Sequence, residues 1–157
     1  MTEIRFYHLE RSPLERALPT MLERVLDRGQ RALVVAGSQE RLDALNLHLW
    51  TYRPDSFLPH GTAADGFVEQ HPVLLAVGDA DPVESNVNKA DVVFLTDGAR
   101  IGDLGRFKLC VELFDGADEQ ALAAARQRWR AYKSEGHQLT YWRQTDQGWK
   151  QESEAKE

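Results

Sequence analysis

Short apolar and β-branched runs alternate along this chain with longer stretches in which leucine returns at every third or fourth position. That alternation is the pattern of an α/β domain, not of a helical bundle or a β-sandwich. Ile4 to Leu9 (IRFYHL) reads as a first strand. Ser12 and Pro13 then open a helix, with Ser as N-cap and Pro at the first helical position. From Leu14 to about Arg28 the positions Leu14, Leu18, Leu22, Val25 and Leu26 mark one buried face, and Gly29 supplies a stop. Pro19 sits inside that pattern, where a proline removes a backbone hydrogen bond and either kinks the helix or moves its start downstream.

Ala32 to Ala36 (ALVVA) is a continuous apolar run, the signature of a strand covered on both faces. Ser38 caps a second helix, Gln39 to Trp50, whose apolar side is Leu42, Leu45, Leu49 and Trp50. Thr51 to Gln70 contains Pro54, Pro59, Gly61 and Gly66 and reads as a long irregular surface connection, a kind of segment that is often functional. Val73 to Val77 and Val92 to Leu95 are two more buried strands, separated by a polar stretch holding Pro82 and Asn86. Leu109 to Phe114 is a further strand, Ala117 to about Glu135 a long helix ended by Gly136, and Gln138 to Arg143 a last strand. After Gly148 the tail QESEAKE has nothing to bury and is expected to fray. These elements predict one α/β domain over residues 1–148, three layers deep, followed by a frayed acidic end at 149–157. Its sheet is mainly parallel, with helices on both faces.

Composition narrows the class. The chain has 157 residues, 42% of them hydrophobic, and 25 acidic against 19 basic side chains for a net charge of −6. This excludes a disordered acidic chain and a generally basic protein that coats nucleic acid. No apolar run approaches the ~18 residues needed to cross a bilayer. The opening MTEIRFYHLERS lacks the basic start and apolar stretch of a signal peptide, so a cytoplasmic location and no membrane association are expected. Cys110 is the single cysteine, which precludes an intramolecular disulfide and any cysteine cluster holding zinc or an iron–sulfur centre.

An α/β domain invites a search for nucleotide loops, and they are missing. The first strand–helix junction, ERSPLER, has no glycine; the second, AGSQER, has only Gly37. There is no nucleophile elbow, and Cys110 lies in the apolar run FKLCVELF, where a thiol is a small buried hydrophobe. His8, His48, His60, His71 and His137 form no metal-binding pair by spacing. Asp79 and Asp81, in VGDADP after a strand, are the most enzyme-like feature. Two carboxylates there can hold a hard cation or nucleotide, or simply form a turn. No cofactor or metal site is expected, and the rival reading is a small metal- or nucleotide-dependent enzyme built on those two aspartates.

Charge is unevenly placed. Residues 126–150 carry 6 basic and 2 acidic side chains, whereas residues 1–125 carry 12 and 20. On the closing helix Arg126, Trp129, Arg130 and Lys133 fall on one stripe, because three- and four-residue spacings are neighbours there. Such a stripe can hold an anionic ligand with an aromatic part, or a single strand stacked on Trp129 and Tyr132. Equally, basic residues near a helix C-terminus complement its dipole, and Trp129 can face the core. The segment LNLHLWTYRPDSFLPHG presents Trp50, Phe57, Pro59 and His60 around prolines and a glycine. Those residues either plug the domain's own core or anchor a partner.

The opening FYHL, the block RLDALNLHLWTYRPDSFLPHG, the helix from Arg126 to Gly136 and the closing Leu139 to Trp142 together resemble the chi subunits of bacterial DNA polymerase III. These are small accessory proteins of the clamp-loader complex. The resemblance implies a Rossmann-like domain without nucleotide chemistry, acting as a non-enzymatic bridge. One family surface takes the acidic C-terminal tail of single-stranded-DNA-binding protein, which ends in proline, phenylalanine and a free carboxylate. The matching residues are Arg126, Trp129 and Arg130, with Trp129 replacing a family tyrosine, Arg130 a lysine, and Leu122 another lysine one turn earlier. The other surface docks the psi subunit, and falls by position on Trp50, Phe57, Pro59 and His60. It could also serve another protein, such as a helicase. An acidic domain of this kind is expected not to bind nucleic acid tightly.

Overall fold

A computed structural model describes residues 3–9, 14–52, 58–62, 65–66, 68–77, 89–96, 98–99, 101, 104, 107–145 and 148–155. The chain runs β1 (Glu3–Leu9), α1 (Leu14–Asp27), β2 (Ala32–Ala36), α2 (Gln39–Thr51), β3 (Gly61–Thr62), β4 (Val73–Val77), β5 (Val92–Thr96), β6 (Leu109–Asp115), α3 (Glu119–Ser134), β7 (Gln138–Thr145) and β8 (Gly148–Ala155). One eight-stranded sheet has the order β3-β4-β2-β5-β6-β1-β7-β8, and every pairing is parallel except β7 with β8. This is the expected mainly parallel α/β sheet.

Parallel strands covered on both sides must be apolar at every position, and β2 is: Leu33 and Val35 join one core cluster, Ala32, Val34 and Ala36 the other. The cluster with Ala32, Val34 and Ala36 holds α1 and α2, through Leu18, Leu22, Leu45 and Leu49; the cluster with Leu33 and Val35 holds α3, through Ala125 and Tyr132. Chain direction accounts for the split. From β1 to β2 to β4 the chain steps one way along the sheet, and from β6 to β7 it steps back. Right-handed crossovers then place α3 on the face opposite α1 and α2.

Three expectations need correction. The end after Gly148 does not fray: β8 pairs antiparallel with β7 from Thr145↔Gly148 to Leu139↔Ala155. An edge strand is held by backbone hydrogen bonds and needs no apolar run, and Trp149 anchors it edge-on against Tyr7 at 4.8 Å between ring centroids. The connection before β4 is not wholly irregular, because Gly61–Thr62 adds the short edge strand β3 and Val68–Gln70 forms a 3-10 turn. Helix α1 passes through Pro19, which is buried, and begins at Leu14 and not downstream of the proline. Ser12 and Pro13, like Asp79 and Asp81, lie outside the described residues.

Candidate functional site

Helix α3 builds the basic stripe. Asp118 caps it, its Oδ1 accepting the N–H groups of Gln120 at 2.9 Å and Ala121 at 3.3 Å. The C-terminal end is closed at Gly136, where φ is 85° and the backbone turns left-handed. Between these ends Ala125, Arg128 and Tyr132 point into the core, while Arg126, Arg130 and Lys133 are exposed.

Trp129 stands at the border, half-buried. Its ring meets Phe6 edge-on at 5.4 Å and 65°, and Tyr141 of β7 at 6.0 Å and 71°. Tyr141 is fixed in turn by a 2.6 Å hydrogen bond between its hydroxyl and His8 Nδ1. The result is an aromatic shelf of Trp129 and Tyr141 with three cationic heads beside it. Such a surface accepts a carboxylate through the guanidiniums and a ring through the indole edge. The structure thus brings Arg126, Trp129, Arg130 and Lys133 together on one surface, and places Leu122 half-buried against the same core.

Arg128, in the middle of the basic run, does something else. Its Nε donates to both oxygens of Glu112 on β6, at 2.8 and 3.0 Å, with the two side chains 6% and 1% exposed as residues. The signals for this were an acidic residue inside the apolar run LCVELF and the i, i+3, i+7 spacing of Ala125, Arg128 and Tyr132. Burial, with the nearby Glu112 carboxylate adding to it, pushes the Cys110 thiol well above its usual range, as fits an inert core residue.

The second surface lies at the end of α2. Leu42, Leu45 and Leu49 are buried as expected, but Trp50 is 49% exposed and so does not belong to the buried side. Leu47, three positions earlier and not singled out by periodicity, is 67% exposed beside it. His60 is only 5% exposed, packed at 4.3 Å under the Trp50 ring. Its Nδ1 is 2.6 Å from the Leu58 carbonyl oxygen and its Nε2 3.2 Å from that of Asn46. Leu58 plugs the core, Pro59 is half-buried, and Phe57 lies outside the described residues. His60 therefore supports Trp50 from behind instead of facing solvent.

Among the described residues no group of histidines, cysteines and carboxylates could hold a metal, and no helix is long and apolar enough to cross a membrane.

The chain is similar to a probable DNA polymerase III subunit chi of Rickettsia prowazekii (strain Madrid E), 22% identical over 114 residues, or 73% of this chain. The match spans 66% of that relative's length, just under two thirds. The family model for the DNA polymerase III chi subunit, HolC, matches residues 1–140. With most of its length inside that match, this chain belongs to the DNA polymerase III chi subunit family.

Proposed function

We propose that the chain is a non-catalytic accessory subunit of the replicative DNA polymerase III holoenzyme. It bridges the clamp loader, through a psi subunit, to the acidic C-terminal tail of single-stranded-DNA-binding protein. The observation that carries this reading is the stripe on α3: Arg126, Arg130 and Lys133 exposed around a half-buried Trp129. A tail ending in phenylalanine and a free carboxylate needs a compact cationic patch next to an aromatic edge, and this patch stands on an otherwise acidic protein. A micromolar complex requires only about 8 kcal/mol net, within reach of one ring contact and a few charge-assisted hydrogen bonds. Leu47, Trp50 and Pro59 belong to the proposed psi-docking surface, Phe57 is assigned to it by sequence position alone, and His60 is the positioning residue behind Trp50.

Titration of the full chain with an acidic peptide ending in Pro-Phe tests the first surface. Binding is expected, falling with added salt and weakening at least about tenfold in Arg126→Ala and in Trp129→Ala. Amidation of the terminal carboxylate has the same effect. A short oligonucleotide that binds more tightly than the peptide, and loses affinity in Arg126→Ala, would make the stripe a single-strand site and end this reading. For the second surface, Trp50→Ala and Phe57→Ala abolish capture of psi while the fold and peptide binding persist.

A further inference from the structure

A second cationic and aromatic pocket lies on the other face of the sheet, near the end where the parallel strands begin. It is a cavity of about 380 Å³ under the last turn of α1. Arg24 and Arg28 of α1 and its following turn, Arg5 and Tyr7 of β1, Trp142 of β7 and Trp149 of β8 contribute to its walls. No acidic side chain is among the described residues that line it, although Glu3 accepts from Arg5 Nε at 2.7 Å. The α3 stripe is across the sheet, so the two sites share no residue.

The two exposed arginines are not needed to close α1. Gln30 N–H donates to the Val25 carbonyl at 3.1 Å and Gly29 N–H to that of Leu26 at 2.9 Å, with Gly29 at φ 73°. That backbone motif already satisfies the helix end. Neither guanidinium has a hydrogen-bond or ion-pair partner among the described residues. They stand one helical turn apart, and two forked donors at that spacing suit a phosphate, with several oxygens and up to two charges, better than a single carboxylate.

The aromatic wall is built from rings in mutual contact. Trp142 stacks on Tyr7 with ring centroids 6.0 Å apart and planes 17° from parallel, and Trp149 meets the same Tyr7 at 81°. The Arg5 guanidinium sits 5.9 Å from the Trp142 ring centre, and Trp142 Nε1 donates to Thr140 Oγ1 at 2.9 Å. The volume stands near the lower end of the roughly 300–1,000 Å³ typical of small-molecule sites. It has room for one ring with its sugar and phosphate.

We propose that this pocket binds one nucleotide unit, its base against the indoles and its phosphate on Arg24 and Arg28. The unit can come from a free nucleotide or from the phosphorylated end of a single strand. Calorimetric titration of the full chain with AMP and with adenosine tests the idea. AMP binds, adenosine binds at least about tenfold more weakly, and AMP affinity drops by a similar factor in the double variant Arg24→Gln, Arg28→Gln. These two side chains are exposed, so the variant keeps its fold; Arg126→Gln leaves AMP binding unchanged. A 5′-phosphorylated oligonucleotide that displaces AMP identifies a strand end as the source, and one that does not identifies the free nucleotide. Absence of AMP binding, AMP affinity untouched by the double variant, or displacement of AMP by the acidic Pro-Phe peptide each overturns the proposal.

Discussion

Arg128 and its neighbours show how one turn of helix separates structure from surface. Arg126 and Arg130 reach solvent, while Arg128 between them is committed to Glu112 in the interior. A buried ion pair contributes little over apolar residues of the same size, but removing one partner strands the other charge. Arg128→Ala is therefore expected to destabilise the fold by about 3–5 kcal/mol in urea unfolding. Adding Glu112→Leu should recover much of that loss. A single-variant cost below about 1 kcal/mol would mean that the carboxylate finds water or is neutralised. Gly116 works at the same scale by lacking a side chain: a Cβ there would stand 1.8 Å from His8 Nε2, the ring that holds Tyr141 under the stripe.

Among the elements, α1 and α2 cover one face side by side and are tied by Arg41 Nη2 to Glu15 Oε1 at 2.9 Å. Burial alone would raise the Glu15 carboxyl, but its own backbone N–H and the Arg41 guanidinium outweigh it and hold the group below the usual carboxylate range. A group lowered in the folded state adds stability above its unfolded value, about 4.3, and loses that contribution as pH falls through the folded value. Both side chains are about one-third exposed, so solvent screens the pair and its effect stays under about 1 kcal/mol. Glu15→Gln is expected to lower stability by less than that at pH 7, with the loss shrinking as pH falls below the usual carboxylate range; a loss that does not change with pH would assign the effect to packing. Strand β8 makes a different point: its sequence GWKQESEA is mostly polar and it is held by β7 and by Trp149, so hydropathy alone conceals it.

For the whole molecule, the reversal of chain direction along the sheet puts α2 and α3 on opposite faces. The bridging role proposed above needs two partners held at once, and opposite faces set the two candidate surfaces apart. Variants at Trp50 and at Arg126 should therefore act additively, within about 0.3–0.5 kcal/mol, on formation of a three-component assembly of psi, this chain and the Pro-Phe peptide. Coupling well beyond that in a double-mutant cycle would place the two surfaces in contact through the core.

The α/β class, the helices, the buried strands β2, β4, β5 and β6, and the spacing that groups Arg126, Trp129, Arg130 and Lys133 were all legible in the chain. Each depends on neighbours within about four positions, where periodicity and capping act. Long-range contacts decided the rest. Only the packed fold turns Arg128 inward to Glu112, leaves Leu47 and Trp50 outward, hides His60 beneath an indole, and assembles a pocket from Arg5, Arg24, Arg28, Trp142 and Trp149. Which face of an element meets another is set by sheet order and crossover hand, and these are properties of the whole chain.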